Sequence, residues 1–96
     1  MPDYHQWRDK QTDNLCRAFL ALEDLEDVYN FLEDLATIGE IKSMAQRLEV
    51  AKLLSESKTY PEIVKQTGAS TATISRVKKC LDYGAGGYEK ALDKIY

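Results

Sequence analysis

The sequence predicts an all-α fold with a helix-turn-helix in its second half. Apolar residues recur at spacings of three and four along most of the chain. Helix-capping signals precede several of these stretches, and both prolines lie near expected element starts. A chain of 96 residues has room for one domain with a modest core.

Asp13 or Thr12 is expected to cap a first helix with Leu15, Ala18, Phe19 and Leu22 on one stripe. Residues 1–12 ahead of it read as an N-terminal arm, with Tyr4 and Trp7 in a short helical piece, and residues 13–96 as the helical domain. Asp24 is placed to cap a second helix, whose positions Leu25, Val28, Tyr29, Leu32, Leu35 and Ala36 give one buried face. Thr37-Ile38-Gly39-Glu40 reads as a capping box opening a third helix.

That third helix changes phase. Ile41, Met44, Ala45 and Leu48 make one stripe, and Val50, Leu53 and Leu54 make another. Either the helix breaks near Gln46-Arg47 or it is buried on two sides, which in so short a chain calls for a partner subunit. Ser55 to Lys58 reads as a polar connection.

Thr59-Tyr60-Pro61-Glu62 is a second capping box, with proline tolerated in the first turn because its missing amide is an orphan there. A short helix is expected from Tyr60 to about Gln66, burying Ile63. Thr67-Gly68-Ala69 ends it, with glycine where the chain needs a positive φ. Ser70 can cap the next helix, expected to run to about Leu81. Two short helices joined by a glycine-containing turn, at about 59–81, make a helix-turn-helix.

The second helix of this pair sorts into three strips. Ile74, Val77 and Leu81 are apolar and face the core; Thr71, Ser75, Lys78 and Lys79 are polar and basic; Thr73, Arg76 and Cys80 lie between. Small hydroxyl residues at a helix N-terminus suit entry into a DNA major groove, because short side chains allow close approach and the helix dipole favours phosphate. The same pattern also describes a plain solvated surface. Val64 occupies a position where tight helix-turn-helix units usually place alanine or glycine. Beyond the hairpin, Tyr83 to Gly87 reads as a glycine-rich loop, followed by a short apolar stripe of Tyr88, Leu92, Ile95 and Tyr96.

Charge distribution points the same way as the motif, although the net charge is −3. Residues 1–37 carry nine acids against three bases, whereas Lys58 to Cys80 carries Lys58, Lys65, Arg76, Lys78 and Lys79 against Glu62 alone. Positive charge is concentrated on the hairpin, which would orient that face toward phosphates.

Other functions find little support. Cys16 and Cys80 are far apart with no histidine near either, and the one histidine, His5, sits at the N-terminus, so no metal site or cysteine nucleophile can be read. Both thiols are expected to be reduced and mostly buried. Acid pairs such as Glu33-Asp34 belong to a solvated helix face, and no enzyme is expected. The chain lacks a membrane-spanning apolar run and a signal-peptide pattern, so a cytoplasmic location is expected.

Residues 59–76, above all Ala72-Thr73-Ile74-Ser75-Arg76, resemble the DNA-reading region of the tryptophan repressor superfamily. Met44-Ala45-Gln46-Arg47-Leu48-Glu49-Val50-Ala51-Lys52-Leu53-Leu54 is similar to that family as well, and the likeness extends over roughly residues 14–95. It is strongest to the tryptophan-repressor-like branch, with Arg47-Leu48-Glu49-Val50-Ala51 and Gly68-Ala69-Ser70-Thr71-Ala72-Thr73-Ile74-Ser75-Arg76 as landmarks. The resemblance implies an intertwined, all-helical homodimer acting as a sequence-specific DNA-binding transcriptional regulator, a repressor by family.

It also implies an effector pocket beside the recognition helix, formed in the tryptophan repressor by two arginines and two threonines that match Arg47, Arg76, Thr37 and Thr73 here. That pocket needs a glycine directly after the second arginine. This chain has Val77 there, and Cys80 replaces a ligand-contacting serine. The valine would overpack the space of an indole ring at a cost of about 1–3 kcal/mol, so free tryptophan is not expected to bind and no cofactor is assigned. Any other small-molecule effector is left open.

On double-stranded DNA, Thr71, Ala72 and Ser75 are expected at base edges, and Thr59, Ser70, Lys78 and Lys79 at phosphates. Arg76 would do either, and Thr73 completes the interface. The alternative is a helical protein–protein interaction module whose basic hairpin docks an acidic partner and never touches DNA.

Overall fold

The computed structural model describes residues 6–96. Within them the chain forms six helices and no strand: α1 Lys10–Ala21, α2 Leu25–Leu35, α3 Ile38–Ser55, α4 Tyr60–Thr67, α5 Thr71–Tyr83 and α6 Gly87–Ile95. The chain divides into two compact units, Met1–Ile38 and Gly39–Tyr96. No helix among the described residues is long and apolar enough to cross a membrane.

In the first unit, α1 starts ahead of the expected cap. Asp9 is the N-cap: its carboxylate accepts from the Thr12 amide at 2.8 Å, and the Thr12 hydroxyl oxygen accepts from the Asp9 amide at 2.9 Å. Thr12 therefore closes a capping box from the third helical position instead of starting the helix, and α1 begins inside the stretch read as an arm. Gln6 and Trp7 form a turn, not the short helix expected; Tyr4 and His5 lie outside the described residues. Asp24 caps α2 as expected, accepting from the Asp27 amide at 2.9 Å.

The expected burial of α1 and α2 is not found within one chain. Neither helix has a buried residue, and Leu25 and Tyr29 are 70% and 64% exposed. Their apolar spacing is right, but a two-helix unit offers too little surface to cover both stripes. Phe19 and Phe31 meet edge to face, with ring centroids 5.0 Å apart. Cys16, expected to be mostly buried, is exposed because it sits on this uncovered helix.

In the second unit, α3 is unbroken through Gln46-Arg47, so the phase change reflects two faces of one helix. Its C-terminal half supplies Val50, Ala51 and Leu53 to the core, which Ile63, Ala69, Ile74, Val77 and Leu92 complete. Complete burial of Val50, Ile63, Ile74 and Val77 is worth about 1.5–3 kcal/mol for each side chain relative to exposure. Tyr88 and Leu81 pack against this cluster, whereas Ile95 and Tyr96 of the expected C-terminal stripe stay exposed. The Tyr96 ring lies 4.6 Å from the Lys52 ammonium, which gives it a cation–π contact instead of a core position.

The connection after α3 is a tight Schellman turn. The Lys58 amide donates to Leu53 O and the Ser57 amide to Leu54 O, both at 3.0 Å, while Ser57 takes a φ of 63°.

Candidate nucleic-acid interface

The helical hairpin is built by its caps. The Thr59 hydroxyl accepts from the Glu62 amide at 3.3 Å, and the Glu62 carboxylate accepts from the Thr59 amide at 2.8 Å. Pro61 sits in the first turn, where no amide is missed. The helix ends at Gly68, whose φ of 74° is left-handed and whose amide donates to Val64 O at 2.9 Å. Ser70 then caps α5: its hydroxyl oxygen accepts from the Thr73 amide at 3.1 Å and donates to the Thr73 hydroxyl at 3.0 Å.

These caps fix which face of α5 points outward. Ile63, Ile74 and Val77 are buried, and Leu81 is half-buried, so the apolar strip faces the core as expected. Thr59, Ser70, Thr71, Ala72, Ser75, Arg76, Lys78 and Lys79 are all exposed, and Thr73 is half-buried. Val64 is partly exposed and outside the core, which is why a β-branched side chain fits where tight hairpins usually place a smaller one. An outward face of small hydroxyl and methyl groups at the helix N-terminus, with three cations behind it, can approach base edges closely and bind phosphates around them. Lys78 is not unpaired on this face, since its ammonium lies 3.3 Å from the Asp82 carboxylate.

Known proteins share the sequence pattern and the fold of this chain. The Trp repressor protein family matches residues 10–96. The chain belongs to the Trp repressor family. It is 58% identical over 88 residues to the uncharacterized protein YerC of Bacillus subtilis, covering 92% of this chain and 85% of that one. Its fold is that of a TrpR-like protein from Eubacterium eligens, with a TM-score of 0.89 at 47% identity, covering 94% and 93% of the two chains. A crystal structure described as a candidate Trp repressor from Staphylococcus aureus matches with a TM-score of 0.91 at 43% identity, covering 99% and 95%. The all-α, Trp-repressor-like fold expected from the sequence is the fold observed.

For a Trp repressor family member, the residues matching the effector pocket are distributed unevenly. Thr37 belongs to the first unit, directly ahead of α3. Arg47 and Thr73 are half-buried in the second unit, and Arg76 is exposed. Val77 is 1% exposed and part of the core cluster with Val50, Ile63 and Ile74. Cys80, expected to be mostly buried, is exposed on the outer side of α5, at a shallow depression of about 360 Å³ lined also by Gly84, Tyr88 and Ala91. It is exposed because the core-facing strip of α5 ends in Leu81, one position on.

Two residues escaped the sequence reading. Gln46 donates from its side-chain amide to Thr67 O at 3.1 Å, linking α3 to the hairpin turn. Its position four residues before Val50, in register with the core-facing stripe, was the available signal. Asp82 was overlooked as the i+4 partner of Lys78, although that spacing is legible on any helix.

Proposed function

We propose that this protein is a sequence-specific DNA-binding transcriptional regulator, acting as a homodimer through the α4–α5 helix-turn-helix. The carrying observation is the doubly capped hairpin that holds the polar face of α5 outward, basic in a chain of net charge −3. Thr71, Ala72 and Ser75 read base edges; Thr59, Ser70, Lys78 and Lys79 hold phosphates; Arg76 serves either role, and Thr73 supports the helix N-terminus from within the interface. Repression follows where the operator overlaps a promoter.

Dimerisation is supported by the apolar residues that one chain leaves uncovered. Leu25, Tyr29 and Leu35 of α2 and Ile38 and Met44 of α3 are all more than two-fifths exposed. A second copy covers such faces most economically, and two-fold symmetry would place the recognition helices about 34 Å apart, in successive major grooves. Free tryptophan is not the effector in this reading, because Val77 is already committed to the core.

Selection of bound duplexes from a random pool at about 0.15 M salt tests the reading. Enrichment of a near-palindromic site supports it. Weak, salt-sensitive binding without enrichment rejects it and favours the interaction-module alternative, to which the acidic first 37 residues would lend themselves.

A further inference from the structure

We propose that Gln46 is a positioning residue that sets the pitch of the recognition helix on α3, and thereby the discrimination between operator and random DNA. The inference rests on the DNA-binding reading of α5.

Thr67 is the last residue of α4, so its carbonyl has no partner inside that helix. The Gln46 amide, 21 positions earlier on α3, donates to it at 3.1 Å in a part-buried setting. The Thr67 side chain secures the same turn from within. Its hydroxyl donates to Ile63 O at 2.7 Å and accepts from the Ala69 amide at 3.1 Å. Ala69 is buried, and Gly68 between them holds its left-handed φ. The turn is thus closed on itself and fastened to α3 by one long polar side chain.

The choice of residue is informative. Position 46 lies on the face of Val50 and Leu53, where an apolar side chain would serve if packing were the only demand. Apolar contacts are non-directional, so the core cluster tolerates small rotations of the hairpin over α3. A hydrogen bond to a main-chain carbonyl has a preferred direction and length. Gln46 therefore selects one orientation from those the core permits, at the point where the chain enters α5. Base contacts by Thr71, Ala72 and Ser75 have short reach and depend on that orientation. Phosphate contacts by long lysines do not. Loss of the bond should accordingly damage specific binding more than non-specific binding.

The test is Gln46→Met, which keeps length and bulk but cannot donate. Wild type and Q46M are titrated with the duplex that selection enriches and with a scrambled duplex of equal length, at equal salt and with helicity checked by circular dichroism. The expected result is a drop of about tenfold in the operator-to-scrambled affinity ratio, with scrambled binding unchanged. A purely structural role would lower both affinities together and leave the ratio intact, which would overturn the inference. An unchanged operator affinity in Q46M would overturn it too, with the DNA-binding reading standing. Should wild type enrich no duplex, the DNA-binding reading fails and this inference with it. If Q46M does not fold, Gln46→Asn takes its place, since it stays polar but falls short of the Thr67 carbonyl.

Discussion

Asp82 holds the Lys78 ammonium at 3.3 Å, one turn further along the proposed recognition helix. Both side chains are about half exposed, so the pair is weak and competes with phosphate for the same cation. Asp82→Asn should raise affinity for all duplexes alike, by about 1.4- to fivefold, since exposed pairs are worth about 0.2–1 kcal/mol. Lys79→Ala should act in the opposite direction, weakening every sequence and flattening the salt slope by about 1. Fluorescence anisotropy over a salt series checks both. A change of sequence preference in K79A, with its salt slope intact, would remove Lys79 from the phosphate contacts.

Ser57 adopts a φ of 63° at the end of α3, a region costly to any residue with a Cβ. Its place in the Schellman turn is the one that glycine usually fills. Ser57→Gly should stabilise the protein by about 0.5–1 kcal/mol, relief of the backbone strain outweighing the extra entropy of the unfolded chain. Urea denaturation reads the change as a higher midpoint at constant slope. A lower midpoint would mean that the serine side chain contributes more than its backbone strain takes away.

The contrast between these two regions explains how far the sequence could be read. The hairpin was legible nearly residue by residue, because Thr59, Pro61, Glu62, Gly68 and Ser70 each have one local conformation that suits them. The turn at Ser57 was not, because serine carries no preference for positive φ. Nor was the start of α1, where Thr12 resembles a cap and instead answers Asp9. Burial was the less legible property. Apolar spacing identified the stripes on α1 and α2, but whether a stripe is covered within one chain depends on surface that lies elsewhere in sequence. Among the proposed interface residues, the exposed α5 positions followed from helical periodicity, whereas periodicity puts Gln46 on the core-facing stripe of α3 without naming Thr67, 21 positions away, as its partner.

The uncovered stripe on α2 makes a direct prediction about assembly. Leu25 and Tyr29 lie four residues apart on one face, each well over half exposed. Sedimentation equilibrium should give twice the single-chain mass for wild type. Leu25→Asp with Tyr29→Asp should shift it toward one chain, because burying unpaired carboxylates at an interface is costly. A wild-type mass of one chain at micromolar concentration would sink the dimer proposal.

The Asp9 carboxylate is held below its ordinary 3.8 mainly by the hydrogen bond from the Thr12 amide, helped by the Thr12 side chain. A carboxylate whose pKa falls on folding stabilises the folded state fully above its ordinary value. That contribution is lost as pH falls through the lowered value. Helicity of α1 should therefore decline in acid below about pH 4 in wild type. Asp9→Asn, which caps without titrating, should remove this part of the decline. Identical acid profiles for the two proteins, followed by amide NMR signals of α1, would show that the cap does not govern this helix.

Val77 distinguishes a filled core from a vacated ligand site. A side chain that merely occupied a disused pocket could be trimmed without penalty. At 1% exposure, in a cluster with Val50, Ile63 and Ile74, Val77 is instead part of what holds α5 to the rest of its unit. Val77→Ala should cost about 2 kcal/mol by urea denaturation, the range expected when buried methyl groups are deleted and the site only partly collapses. Calorimetry of wild type with tryptophan should give no binding heat. Micromolar affinity would show that the pocket tolerates valine after all, and a V77A stability equal to wild type would show that the core does not depend on it. The expected pair of results, a stability loss on trimming and silence toward tryptophan, would mean that this family member orders α5 with its own side chain.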